Sequence, residues 1–163
     1  MLGRLLLTTL CDVYSLVVAG YHFGLGEPNL HMAVAALRHA MLRKHYPLED
    51  GFLGDWAVYG VPETLVVDAS TLWTASNFTP LRHLLNKLGI KLVRRTAPSA
   101  GTSIERFIEG FSSRVKFPLL KITGRSAVVE GGPRLTLAQL DRLLLQYIVN
   151  EYNNSRPHLR TPQ

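Results

Sequence analysis

The sequence predicts an α/β domain with a mixed sheet, and three observations carry that reading. Two β-permissive runs, residues 5–10 and 16–25, come first, the second rich in β-branched and aromatic residues, with a connection short enough for a hairpin turn at Tyr14-Ser15. A short, continuous apolar run, Thr64–Val67, stops abruptly at Asp68, as a strand buried on both faces should. Helical periodicity alternates with these runs, so the order is strand, strand, helix, strand, helix, strand, then helices.

Asp12 ends the first run, and Glu27-Pro28-Asn29 breaks the chain after the second, with Asn29 in place as an N-cap. Leu30, Val34, Leu37 and Met41 recur at helical spacing, which predicts a helix over 30–45 packed on the sheet. Arg38, Arg43, Lys44 and His45 fall late in it, where cations complement the helix dipole. Residues 47–62 read as a loop anchored by Trp56 and Tyr59. Thr79-Pro80 reads as an N-cap and first helical residue, Leu81, Leu84, Leu85 and Leu88 as one apolar face, and Gly89 as the residue closing the helix. A strand over 91–96 follows, then a loop through Pro98 and Gly101. The helix from Thr102 places Ile104, Phe107, Ile108, Phe111 and Val115 on one stripe. Residues 117–134 are irregular, and Thr136 caps a last helix through Leu137, Leu140, Leu143, Leu144, Tyr147 and Ile148. No repeat or linker divides the chain, so 1–163 reads as a single domain.

A formal net charge of +6 makes a polyanion a reasonable partner, although basic proteins without one are common. Cys11, the sole cysteine, excludes an internal disulfide and reads as a small hydrophobe in a strand. The apolar N-terminus is broken by Thr8, Thr9 and Asp12, and residues 13–25 by Tyr14, Ser15, Gly20 and His22. Neither reaches the length of a membrane span, so a cytoplasmic protein is expected.

The acids suggest a site. Asp68 ends a buried strand, where open α/β sheets place their ligands, and Glu105 opens a helix with 36 residues between them. Two-metal phosphodiester chemistry needs acidic ligands converging on ions roughly 3.5–4 Å apart, and oxygen ligands suit Mg²⁺ or Mn²⁺. Both acids have plainer readings. Asp68 can start a turn, and Thr102-Ser103-Ile104-Glu105 is a capping box in which the glutamate bonds back to the Thr102 amide. The histidines show no metal spacing, and no P-loop, HExxH or nucleophile elbow is present.

Four stretches together resemble one family: Asp12-Val13-Tyr14-Ser15, Tyr59-Gly60-Val61-Pro62-Glu63-Thr64, Gly101-Thr102-Ser103-Ile104-Glu105-Arg106-Phe107, and the ending Tyr152-Asn153-Asn154-Ser155-Arg156-Pro157-His158 with Thr161-Pro162. In this order, across residues 3–162, they resemble the integrase catalytic core of DDE transposases and retroviral integrases, in particular Mu-type and Tn-seven-type bacterial transposition proteins. The resemblance implies a ribonuclease-H-like fold and Mg²⁺- or Mn²⁺-dependent DNA strand transfer by an Asp, Asp, Glu triad. It makes Asp68 the second metal ligand and catalytic acid, Glu105 the third, and Arg106 the arginine that follows the glutamate.

Departures from the family pattern are as informative. The family's first aspartate lies on a first, central strand upstream of the segment resembling residues 3–12, so the chain reads as a core lacking that strand at its N-terminus. Asp12 matches a different position, and taking it as the first ligand is the lesser alternative. After Asp68 the run Ala69-Ser70-Thr71-Leu72-Trp73 keeps the family's aromatic but not its glycine or extra acid. A central strand buries about four or five apolar side chains at roughly 1.5–3 kcal/mol each, comparable to a whole domain's stability of about 5–15 kcal/mol. Its loss leaves strand edges that invite a second copy or a full-length transposase. The resulting expectation is a DNA-integration relative that contacts DNA through Arg94, Arg95, Arg106, Arg114 and Lys116, with Lys121 and Arg125 nearby in sequence, and whose catalysis alone is impaired. A hydrated basic surface is the plainer reading of those cations. A non-catalytic DNA-binding or assembly subunit is the alternative function.

Overall fold

The computed structural model describes residues 5–46, 51–67, 75–95, 103–115 and 136–155, with backbone alone for 75–78, 103 and 115. Its elements run β1 (Leu5–Cys11), β2 (Val18–Leu25), α1 (Leu30–Met41), β3 (Thr64–Val67), α2 (Ala75–Lys87), β4 (Lys91–Arg94), α3 (Ser103–Val115) and α4 (Leu137–Gln146), the last continuing into a π-helical turn, Tyr147–Tyr152. This is the mixed α/β order that the sequence predicts.

The strands form two pairs. β1 and β2 are an antiparallel hairpin with a register shift between Leu10 and Cys11, while β3 and β4 are parallel, Val67 opposite Arg94. Among the described residues no ladder joins the pairs, so β1 and β3 each carry a strand partner on one side only.

Side-chain alternation along β1 sorts the core into two clusters. Leu5, Leu7 and Cys11 pack against one formed by Val18, Tyr21, Trp56, Phe107, Phe111, Leu144, Ile148 and Tyr152, covered by α3, α4 and the π-turn. Leu10 belongs to the other, with Leu37 of α1, Leu81 and Leu85 of α2, Ile90, and Leu65 and Leu92 of the parallel pair. Gly20 of β2 lets α1 lie close. A Cβ there would stand 2.5 Å from the Ala40 nitrogen and 2.8 Å from the Ala36 oxygen.

Helix ends follow local chemistry. The Asn29 side chain accepts from the Met32 N–H at 3.1 Å, and Thr136 with Gln139 forms a reciprocal capping box. Gly89, at φ +73°, ends α2 in a Schellman motif. The Gly89 N–H donates to the Asn86 carbonyl, and the Ile90 N–H donates to the Leu85 carbonyl at 2.8 Å.

Five expectations need correction. α1 ends at Met41 rather than 45, because Leu42 turns to an extended backbone conformation. α2 starts at Ala75, so Pro80 lies inside the helix, forgoing the one bond its nitrogen would give to the Ser76 carbonyl. Val66 is 40% exposed, so β3 is covered on one face and not two. Tyr59 is exposed and held by the Arg43 guanidinium instead of anchoring the loop, whereas Trp56 is buried as expected. Leu84 and Leu88 remain exposed, leaving Leu81 and Leu85 to make the core contact of α2.

Candidate functional site

Parallel pairing brings the carboxyl ends of β3 and β4 together, and the Arg95 N–H donates to the Val67 carbonyl at 2.8 Å. Arg94 and Arg95, both exposed, therefore sit beside the point where the chain leaves β3 toward Asp68. Asp68, with Trp73, lies outside the described residues, as do Thr102, Lys116, Lys121, Arg125 and residues 156–163.

Glu105 occupies the first turn of α3 and is half-buried, while Arg106 beside it is exposed. The α3 stripe forms as expected, with Phe107, Ile108 and Phe111 buried. Arg114, at the other end of the helix, is engaged, its Nε 2.9 Å from the Glu151 carboxylate of the π-turn. That ion pair joins α3 to the chain's last described helix.

Asp12 closes a turn. Its Oδ2 accepts from both the backbone N–H and the hydroxyl of Ser15 at 2.6 Å, and its carbonyl accepts from Leu16, which sits at φ +61°. Among the described residues no three His, Cys, Asp or Glu side chains gather as a metal site needs. The described residues therefore supply one carboxylate of the expected set, Glu105.

Other conspicuous polar residues hold the fold. Lys44, beyond the end of α1, donates to the carbonyls of Val58 at 2.5 Å, Ala19 at 2.8 Å and Ala40 at 3.1 Å, with its ammonium over the Trp56 ring. Burial pushes it down to about 8, which leaves it charged at neutral pH. His39 lies edge-on to Tyr21 and Trp56, and its Nδ1 is 3.1 Å from both N and O of Tyr21. Burial, and then the Lys44 charge, hold the imidazole below its ordinary pKa. The Tyr21 hydroxyl donates to Asp141 at 2.7 Å. Sequence periodicity gives no sign of these links, because their partners lie far apart in the chain.

The family model described as TnsB C-terminal domain matches residues 1–119, and the chain belongs to that family of Tn-seven-type transposition proteins. The match covers the chain through α3 and stops before α4, so the ending that resembles the integrase family stands outside it. No curated protein matches the chain. Among the described residues no helix is long and apolar enough to cross a membrane.

Proposed function

We propose that the protein is a DNA-contacting component of a Tn-seven-type transposition system, descended from a ribonuclease-H-like integrase core. It contacts the DNA backbone through the carboxyl end of its parallel strand pair. The observation that carries this is the placement of Arg94 and Arg95, exposed and side by side at that end, in a chain matched by the TnsB C-terminal domain model. Arg106, exposed in the first turn of α3, and Lys116 are the further cations this reading assigns to DNA.

In this reading Asp68 and Glu105 are the remnants of a metal-binding acid set, and a divalent ion such as Mg²⁺ or Mn²⁺ would supply Lewis-acid help to phosphodiester exchange. The described residues do not complete that set. End-labelled duplex DNA with Mg²⁺ or Mn²⁺ tests the point. Binding without cleavage, weakening steeply with salt, is expected. Nicking that is abolished by Asp68→Asn would instead establish residual catalysis, and absence of DNA binding at low salt would overturn the proposal.

A second reading, an assembly subunit docking on a full-length transposase or on another copy of itself, is favoured by one observation. β1 and β3 each present an edge with no strand against it among the described residues. Light scattering across a concentration series, alone and with the transposase, separates this from a monomer acting by itself.

A further inference from the structure

We propose that the hollow between α1 and α2 docks an amphipathic helix from a partner protein, with acidic residues flanking the helix's apolar stripe. Val34, Met41 and Leu42 line it from one side and Leu84 and Leu88 from the other, around a space of about 200 Å³. Leu42, Leu84 and Leu88 are 47%, 37% and 41% exposed, and the α2 pair is not needed by the core, where Leu81 and Leu85 already meet Leu37. These exposed leucines form a contiguous patch rather than scattered single residues.

Charge selects the occupant. Neither α1 nor α2 contains an aspartate or glutamate, while Arg38 lines the hollow and Arg82 and Lys87 are exposed on α2. An acidic flank would meet the Arg38 guanidinium at the edge of the hollow and no like charge from either helix. Two helices leave no strand edge to pair with, so an extended segment would bury unpaired amides, whereas a helix satisfies its own. A DNA backbone would gain nothing from the leucines, since only apolar surface benefits from their burial.

The test uses the full chain and two fluorescent helical peptides with leucines at i, i+3, i+4 and i+7, one flanked by glutamates and one by lysines. The acidic peptide is expected to bind about tenfold tighter or more, a difference of about 1.4 kcal/mol. Leu42→Ser and Leu88→Ser, at exposed positions, should each weaken it severalfold with the melting temperature unchanged. Arg38→Glu should narrow the preference for the acidic peptide, and Arg94→Ala with Arg95→Ala should leave its binding intact, separating this site from the DNA surface. Equal binding of both peptides, binding of neither, displacement by duplex DNA, or indifference to the leucine changes would overturn the proposal.

Discussion

The side-chain amide of Asn153 clasps both backbone polar groups of Val18. Its Oδ1 accepts from the Val18 N–H at 2.9 Å, and its Nδ2 donates to the Val18 carbonyl at 3.1 Å. Asn153 is buried directly after the π-turn, in the stretch that resembles the integrase ending, and it ties that end of the chain to the start of β2. The same carbonyl accepts from the Trp56 indole at 2.9 Å. Asn153→Ala leaves the Val18 N–H buried without its partner and should destabilise the fold by roughly 2–3 kcal/mol. Trp56 should keep the carbonyl satisfied. Urea unfolding followed by tryptophan fluorescence measures the loss.

Lys44 makes a comparable three-way tie among β2, α1 and the loop before β3. Lys44→Met keeps the apolar stem but strands three carbonyls, for an expected cost of about 1–3 kcal/mol. Lys44→Arg should not restore the loss, because a planar fork cannot reach three diverging acceptors. Thermal melts of the two variants check both statements.

Much of the local structure was legible in the sequence because it depends on neighbours a few residues apart. Asn29, Gly89 and the Thr136/Gln139 box all close their helices as their residue types suggest. The Phe107-Ile108-Phe111 stripe is likewise read directly from spacing. What was not legible depends on distant partners. The early end of α1 goes with a Lys44 that reaches Ala19 and Val58, and the exposure of Val66 reflects the absence of a layer over it among the described residues. Of the candidate site, the corner holding Arg94 and Arg95 follows from strand pairing, which periodicity cannot supply. Glu105 fell where its helix was predicted, and its convergence with Asp68 remains a proposal that the sequence motivates.

Two glycines on β2 separate a rigid contact from a yielding one. At Gly20 an added methyl meets the backbone of α1, so Gly20→Ala should cost roughly 1–3 kcal/mol by pushing the helix away. At Gly24 the nearest atoms belong to the flexible Met32 side chain, Cε and Sδ first, which can move aside, so Gly24→Ala should cost distinctly less. Equal losses in chemical denaturation would mean that α1 does not sit as closely on β2 as described.

His39 gives the fold an acid-sensitive point. Its folded pKa is lowered from 6.5, chiefly by burial, so the unfolded chain binds the proton more readily. The stabilising contribution is full above pH 6.5 and is lost as pH falls through the folded value. His22, also lowered by burial and by His31, acts in the same direction. Unfolding free energy followed downward from pH 7 should fall, and His39→Asn should flatten part of that slope. A slope unchanged by His39→Asn would place the acid sensitivity elsewhere.

The most direct measurement compares DNA affinity for Arg94→Ala/Arg95→Ala with that for Arg114→Ala, by fluorescence anisotropy across a salt series. Arg114 is paired with Glu151 and Arg94 and Arg95 stand at the carboxyl end of the parallel strands, so the double variant should bind more weakly and lower the salt slope by roughly 1–2. Arg114→Ala should keep nearly wild-type affinity at the same salt. If the double variant binds DNA as the wild type does, or if Arg114→Ala alone abolishes binding, the DNA surface is not at the end of this sheet.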